Sequence, residues 1–527
     1  MPFIDRGERE PGAVWPSICI GIFAAFGGIL FGYDTGTISG IQTMPFWQKQ
    51  FDINPAQDAG RISLIVSVLS IGTFVGALSA GYLADWVGRK WGLLLSALIP
   101  FNLGVILQTA STEQTTFIVG RFFAGLGVGL ISLQIPMYQS ETLPKWIRGA
   151  VVGMYQWFIT IGLLVASLVN YATAQRDDSG SYRIPLAIQF AWSIILIVGM
   201  FLLPETPRYL VKKGKPEKAL KSLSTLRRLP ADGPELRAEL EAIQTDYARQ
   251  QQTGSASWIQ CFRGNIGKRV ATGILLQSLQ QLVGINFIFY YGVSYFSGHS
   301  SELPQLPSAF LLGLITNLVN TICTIPGLFA IDRFGRRPVL LTGAIGMGVC
   351  QYIVAACGKA TSINNYPSAA AQLAFICIYI GFFAATWGPA AWVVTGEIFP
   401  LKVRAKGLSL TTAANWFFNW LLAFITPYLV NSLNPTQSNV FWIWGSFCWI
   451  GAFFVFTMIY ETKGLSLEQV GTLYEIESKA WKSASRHPEL KAMTAREHEG
   501  RINSIISERV DLGHTDEKEK AYAEHSD

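Results

Sequence analysis

The dominant pattern along the chain is a series of long apolar runs separated by short polar joints. A helix crosses a bilayer core in about 20 apolar residues. On that length the chain predicts spans near residues 14–38, 61–83, 91–110, 115–139, 149–171 and 185–203, then near 270–296, 308–330, 338–358, 371–395, 407–430 and 438–459. The expected fold class is an all-α membrane protein, with twelve transmembrane helices in two groups of six. Between the groups, Lys215–Leu226 and Pro234–Gln244 carry apolar residues at helical spacing and predict short amphipathic helices. The chain thus divides into a segment 1–13, a first half 14–204, a helical linker 205–269, a second half 270–460 and a tail 461–527. The tail is polar and mixed in charge after about residue 478 and is expected to be largely disordered there.

Composition agrees with the pattern. A mean hydropathy of +0.32 with 14% charged residues leaves too little polar surface to coat a soluble fold of 527 residues. Basic residues concentrate in particular joints: Lys212, Lys213, Lys215, Arg227 and Arg228 in the linker, Arg89 with Lys90, and Arg333 with Arg336 and Arg337. The positive-inside rule makes those joints cytoplasmic, and both termini with them. The net charge of +6 therefore encodes orientation and gives no reason to expect nucleic acid as a partner. Asp5, Arg6, Glu8, Arg9 and Glu10 run into the first apolar stretch with no small-residue cleavage site between, so the first span is expected to act as its own insertion signal. Seven cysteines without paired spacing predict neither a disulfide framework nor a metal site. With no Gly-rich phosphate loop and no intramembrane Ser-His-Asp set, neither an enzyme nor a cofactor is expected.

The two halves repeat one another. Asp85-Trp-Val-Gly-Arg-Lys90 recurs as Asp332-Arg-Phe-Gly-Arg-Arg337, Glu141-Thr-Leu-Pro-Lys-Trp-Ile-Arg148 as Glu397-Ile-Phe-Pro-Leu-Lys-Val-Arg404, and Glu205-Thr-Pro-Arg208 as Glu461-Thr-Lys-Gly464. Three matches in the same order indicate duplicated halves. A transporter built that way holds its substrate near the midplane, between the halves, and exposes it to each side in turn. To these motifs the chain adds Gly32-Tyr-Asp-Thr-Gly-Thr-Ile-Ser-Gly40, Gly120-Arg121, Pro204-Glu-Thr-Pro-Arg208, Gln280-Gln-Leu-Val-Gly-Ile-Asn286 and Gly388-Pro-Ala-Ala-Trp392. Over about residues 14–470 it resembles the sugar porters of the major facilitator superfamily, most of all fungal hexose transporters. The resemblance implies the major facilitator fold, a hexose as substrate, with glucose first, and a plasma-membrane location. One departure is Tyr460, where the family has proline.

Asp34 and Arg121 are the only ionisable residues read well inside an apolar span between Pro11 and Tyr460. A charge in hydrocarbon costs about 2.5–3.5 kcal/mol even on mild scales, so each needs a partner or a task. Both are expected in the outer half at one depth. In proton-coupled members of the family the equivalent pair is a proton switch, which makes protons an expected partner; a permanent ion pair in a facilitator fits the same residues. No histidine offers another route, since His299 lies at an outer helix end and the remaining four lie in the tail.

Sugar hydroxyls both donate and accept, and so do side-chain amides. Gln156, Gln280, Gln281, Asn286, Asn320 and Asn415 all fall within spans. The resemblance assigns them to a sugar site with Trp392 as the aromatic platform; amides that merely join helices are the alternative. The clusters Asp85/Arg89, Glu141/Arg148, Glu205/Arg208, Asp332/Arg336, Glu397/Arg404 and Glu461 resemble the family's cytoplasmic gate, whose ion pairs break for inward opening. A proton symporter, a uniporter and a membrane sugar sensor all remain compatible with these features.

Overall fold

A computed structural model of the chain describes Ala13 and residues 15–490, apart from 55–56, 144–147, 231–232, 253–257, 303–306, 361–364, 401–402, 434–436 and 466. In hydrocarbon every backbone N–H and C=O must find its partner inside the protein, which favours helices. The described residues contain helices and no strand. Twelve helical stretches are long and apolar enough to cross a membrane. Spans 1–6 are Trp15–Ile41, Ala59–Val87, Arg89–Ala110, Gln114–Thr142, Ala150–Thr173 and Gly180–Leu202. Spans 7–12 are Gly264–Ser297, Ala309–Phe334, Arg336–Ala360, Tyr366–Ile398, Lys406–Val430 and Val440–Met458.

Glycine sets how closely these helices approach. A Cβ on Gly32 would lie 1.9 Å from the Ile159 carbonyl oxygen, so spans 1 and 5 touch backbone to backbone there. Gly72 and Gly125 do the same for spans 2 and 4. The halves meet along two seams, span 2 with span 11 and span 5 with span 8. In the linker, Pro207–Lys212, Pro216–Arg227 and Pro234–Gln252 are helical. Val211, Ala219, Leu223, Leu236 and Leu240 bury their apolar faces together, as the amphipathic spacing predicts.

Beyond a two-residue interruption of span 1 at Phe26 and Gly27, two further spans expected as continuous helices are broken. Span 7 stops at Leu282 and resumes at Ile285. Gly284 between them has φ +85°, and a Cβ there would meet the Trp444 ring at 2.4 Å. Span 10 stops at Ala385 and resumes at Trp387. At the first break the Val283 carbonyl oxygen accepts from Tyr379 Oη at 2.9 Å and Gln351 Nε2 at 2.8 Å, so the interruption leaves it bonded inside the protein.

The tail is described as far as residue 490. A 3-10 helix covers Ala480–Arg486, and Trp481 stacks on Phe456 with centroids 5.8 Å apart. Ser483 Oγ accepts from the Glu461 N–H at 2.8 Å. Tyr460, the departure from the family pattern, donates its hydroxyl to the Glu477 carbonyl at 2.9 Å and stacks on Tyr474 at 4.1 Å. These contacts hold the first part of the tail against the end of span 12. Residues 1–12 and 491–527 lie outside the described residues.

Candidate functional site

A cavity of about 40 Å³ lies between the halves. Six of the seven side chains expected to meet a sugar line it: Gln156 from span 5, Gln280, Gln281 and Asn286 from span 7, Trp392 from span 10 and Asn415 from span 11. The break after Leu282 turns Asn286 toward the same space as the two glutamines. The Asn286 amide nitrogen donates to Gln281 Oε1. Asn415 Nδ2 donates to Gln280 Oε1 at 2.8 Å and to Gln277 Oε1 at 2.6 Å. Gln280 Nε2 donates to the carbonyls of Trp387 and Gly388 at 2.9 and 3.0 Å, just past the break in span 10. Tyr155 meets Trp392 edge to face at 5.9 Å. Amides that bond one another offer a hydroxylated guest donors and acceptors already held in place.

Asn320 does not belong with them. It is fully buried, does not line the cavity, and neither Nδ2 nor Oδ1 has a hydrogen-bond partner. Two residues that sequence reading passed over do belong. Asn419 lies one helical turn beyond Asn415 and lines the cavity, and Gln277 lies three residues before Gln280 and bonds Asn415. The i, i+3 and i, i+4 spacing from amides already singled out was the available signal.

Asp34 and Arg121 meet, as their isolation in hydrocarbon requires. Asp34 Oδ2 stands 3.5 Å from Arg121 Nη1, with side-chain exposures of 0% and 1%, so water reaches neither. Gln189, not anticipated from sequence, donates to Asp34 Oδ1 at 3.1 Å, and Arg121 Nη2 donates to the Val66 carbonyl at 3.5 Å. At 3.5 Å neither Asp34 Oδ2 nor Arg121 Nη1 makes a hydrogen bond, so the pair is held by charge at some distance.

The charged clusters at the span ends are built twice, to one plan. Arg89 pairs with Glu141 at 3.0 Å and Asp85 at 3.4 Å; Arg336 pairs with Glu397 at 2.7 Å and Asp332 at 3.0 Å. Glu205 receives the backbone N–H groups of Arg89 and Lys90, and Glu461 those of Arg336 and Arg337. Each carboxylate thus sits on the N-terminus of a span, where the helix dipole favours negative charge by about 0.3–1 kcal/mol. Burial pushes the Glu205 carboxyl above the usual carboxylate range, against the pull of the Thr206 and Lys90 N–H groups. Gly88 and Gly335 sit at φ +106° and +100°, and a Cβ on either would press into the carboxylate at 2.3 or 2.4 Å.

Two expected pairings are corrected here. Glu205 does not pair with Arg208, which makes no ion pair among the described residues, because the carboxylate is taken up by backbone N–H groups. The described ion pairs also lie within each half and do not bridge them. Glu397 bonds Arg336 and Thr462, while its expected partner Arg404 stands at the head of span 11. The Arg148 side chain lies outside the described residues.

Two helical halves enclosing a polar cavity, with a charged pair buried beside it, define a membrane transporter. Residues 20–474 match the family described as "Sugar (and other) transporter". The chain belongs to that family of transporters, which are not enzymes. It is 55% identical over 493 residues to a major facilitator-type transporter of Aspergillus rugulosus, covering 89% of this chain and 90% of that one. It is 43% identical to a "Probable glucose transporter" of Neurospora crassa, covering 93% and 85%, and 42% identical to a "High glucose sensor" of Saccharomyces cerevisiae, covering 87% and 60%. Among solved structures, the proton:xylose symporter XylE bound to 6-bromo-6-deoxy-D-glucose is 26% identical with a TM-score of 0.75, covering 88% of this chain and 100% of that one. An inward-open form of the xylose transporter XylE from E. coli superposes with a lower TM-score of 0.67, at 25% identity and covering 87% and 99%.

Proposed function

We propose that the chain carries a hexose, glucose first, across the plasma membrane by alternating access, with uptake coupled to protons through Asp34 and Arg121 and both termini in the cytoplasm. The observation that supports this most directly is the cavity between the halves, lined by Gln156, Gln280, Gln281, Asn286 and Asn415 with Trp392. The side-chain amides match the mixed donor and acceptor character of sugar hydroxyls, and the indole offers a face to the C–H side of the ring. The proton arm draws on the buried Asp34–Arg121 pair and on the likeness to a proton:xylose symporter. Protonating Asp34 removes the charge that holds Arg121, so the two states of the carboxyl favour different helix arrangements.

The measurement is uptake of labelled glucose by cells lacking their own hexose transporters, with and without a protonophore, for the native chain and Asp34→Asn. Uptake that collapses under both conditions supports symport; uptake that survives both makes the protein a uniporter with a structural ion pair. Sensing is the second reading, favoured by the 42% identity to a glucose sensor, of whose length this chain spans 60%. No uptake of any hexose would bring that reading forward.

A further inference from the structure

A second, smaller space lies between the halves on the face away from the Glu205 and Glu461 clusters. Ser39, near the end of span 1, and Ser167 and Asn170, near the end of span 5, line one side. Phe289 of span 7 with Thr316 and Asn317 of span 8 line the other. The Phe289 side chain borders both this chamber and the central cavity, so it forms the wall between them.

Both amides that line the chamber have their donors engaged. Asn170 spends its amide nitrogen on the carbonyls of Gly36 at 2.9 Å and Thr37 at 3.3 Å. Asn317 spends its own on Ser167 Oγ at 2.7 Å, across the two halves, and on the Gly313 carbonyl at 3.1 Å. The Oδ1 atom of each has no partner, although the residues are only 2% and 8% exposed. Buried acceptors left unbonded are costly. Two of them, one from each half, border one space. A guest that satisfies them must bring O–H or N–H groups, and the lack of a carboxylate among the described lining residues favours a neutral one.

We propose that this chamber is an outer recognition subsite for a polyhydroxylated solute, whose hydroxyls donate to Asn170 and Asn317 Oδ1 before the ring passes Phe289 into the central cavity. The inference rests on the reading that the chain carries a sugar. In the present arrangement the chamber has a volume of only about 10 Å³, room for one water molecule. It admits a sugar ring once the Ile285–Glu302 segment, which carries Phe289, swings away from span 1. The Asn317–Ser167 bond then closes the space behind the departing solute.

A site on one face predicts sidedness. Asn317→Leu keeps the volume of the side chain and removes the acceptor. Measured separately for influx and efflux of labelled glucose, at matched surface expression, its KM for influx rises at least threefold while its KM for efflux stays within experimental error of the native value. A disaccharide too large to be carried, added outside, should likewise lose at least threefold in inhibitory strength. Should Asn317→Leu fail to reach the membrane, Asn317→Ser gives the same pair of KM values. An influx KM that does not rise, or a rise equal in both directions, overturns the subsite and leaves sugar carriage standing. A native chain that moves no hexose in either direction overturns both.

Discussion

Ser70 of span 2 donates its hydroxyl to Asn419 of span 11 at 2.6 Å, and that bond ties the amide network of the cavity to the opposite half. Tyr290 donates to the same Asn419 Oδ1 at 2.9 Å, and Asn419 Nδ2 continues to Gln281 Oε1 at 3.3 Å. The residue is therefore a junction of both halves and both sides of the break in span 7.

Asn419→Leu should be among the more damaging substitutions near the cavity. It removes the acceptor shared by the buried Ser70 and Tyr290 hydroxyls and leaves them only each other at 3.4 Å, so at least one bond is lost, at about 1–3 kcal/mol. A lower Tm of the detergent-purified protein, with glucose turnover reduced at equal expression, is the expected result. An unchanged Tm would mean that both hydroxyls find other partners.

Removing one member of the Asp34–Arg121 pair should cost more than removing both. Asp34→Asn leaves the Arg121 charge buried without its counter-ion, a penalty of about 3–5 kcal/mol for pairs of this kind. Arg121→Gln in the same chain removes that charge. Thermal stability of the double variant should recover much of the loss seen in Asp34→Asn, and additive losses would argue against a direct pair.

Asn320→Leu should be tolerated. Neither polar atom of Asn320 has a partner in its buried site, so an isosteric apolar side chain removes an uncompensated cost of about 1–3 kcal/mol. A Tm equal to or above the native value is expected, with the KM for glucose unchanged; a marked rise in KM would return Asn320 to the sugar site.

The duplicated caps should behave as a matched set. Glu205→Gln and Glu461→Gln each remove a negative charge from the head of a span, with an expected loss of about 0.3–1 kcal/mol apiece. Gly88→Ala and Gly335→Ala should cost more, since each puts a Cβ into the carboxylate at a backbone angle that L residues rarely adopt. Denaturation midpoints that fail to rank in this order would sink the capping role.

Cutting the chain after Ile476 should lower the Tm. It removes the Glu477 carbonyl that accepts from Tyr460, the Ser483 hydroxyl that accepts from the Glu461 N–H, and the Trp481 ring against Phe456.

What the sequence revealed was whatever hydrocarbon makes expensive. Apolar runs of bilayer length marked the spans, and Asp34 and Arg121 stood out because a lone charge there needs a counterpart, which the 3.5 Å pair supplies. The amides of spans 5, 7 and 11 were legible for the same reason. Features that depend on three-dimensional choice between equal candidates were not. Glu205 had Arg208 three residues away, yet bonds the backbone of Arg89 and Lys90 more than a hundred residues distant in sequence. Asn320 carries the same amide as Asn415, and only the rotation of its helix decides that one meets the cavity and the other does not. The breaks at Gly284 and Thr386 were not legible in hydropathy, because averaged over its length each interrupted span still reads as one apolar crossing.

The break in span 7 also bears on speed. An intact helix can bend sharply only by giving up backbone hydrogen bonds in a medium that offers no replacements, and that loss would stand in the path of every transport cycle. Here the loss was met when the protein folded, since Tyr379 of span 10 and Gln351 of span 9 already hold the Val283 carbonyl. The Ile285–Glu302 piece joins Gly264–Leu282 through a helix that is already interrupted, so a change of angle between them would require new side-chain packing but no fresh rupture of the backbone.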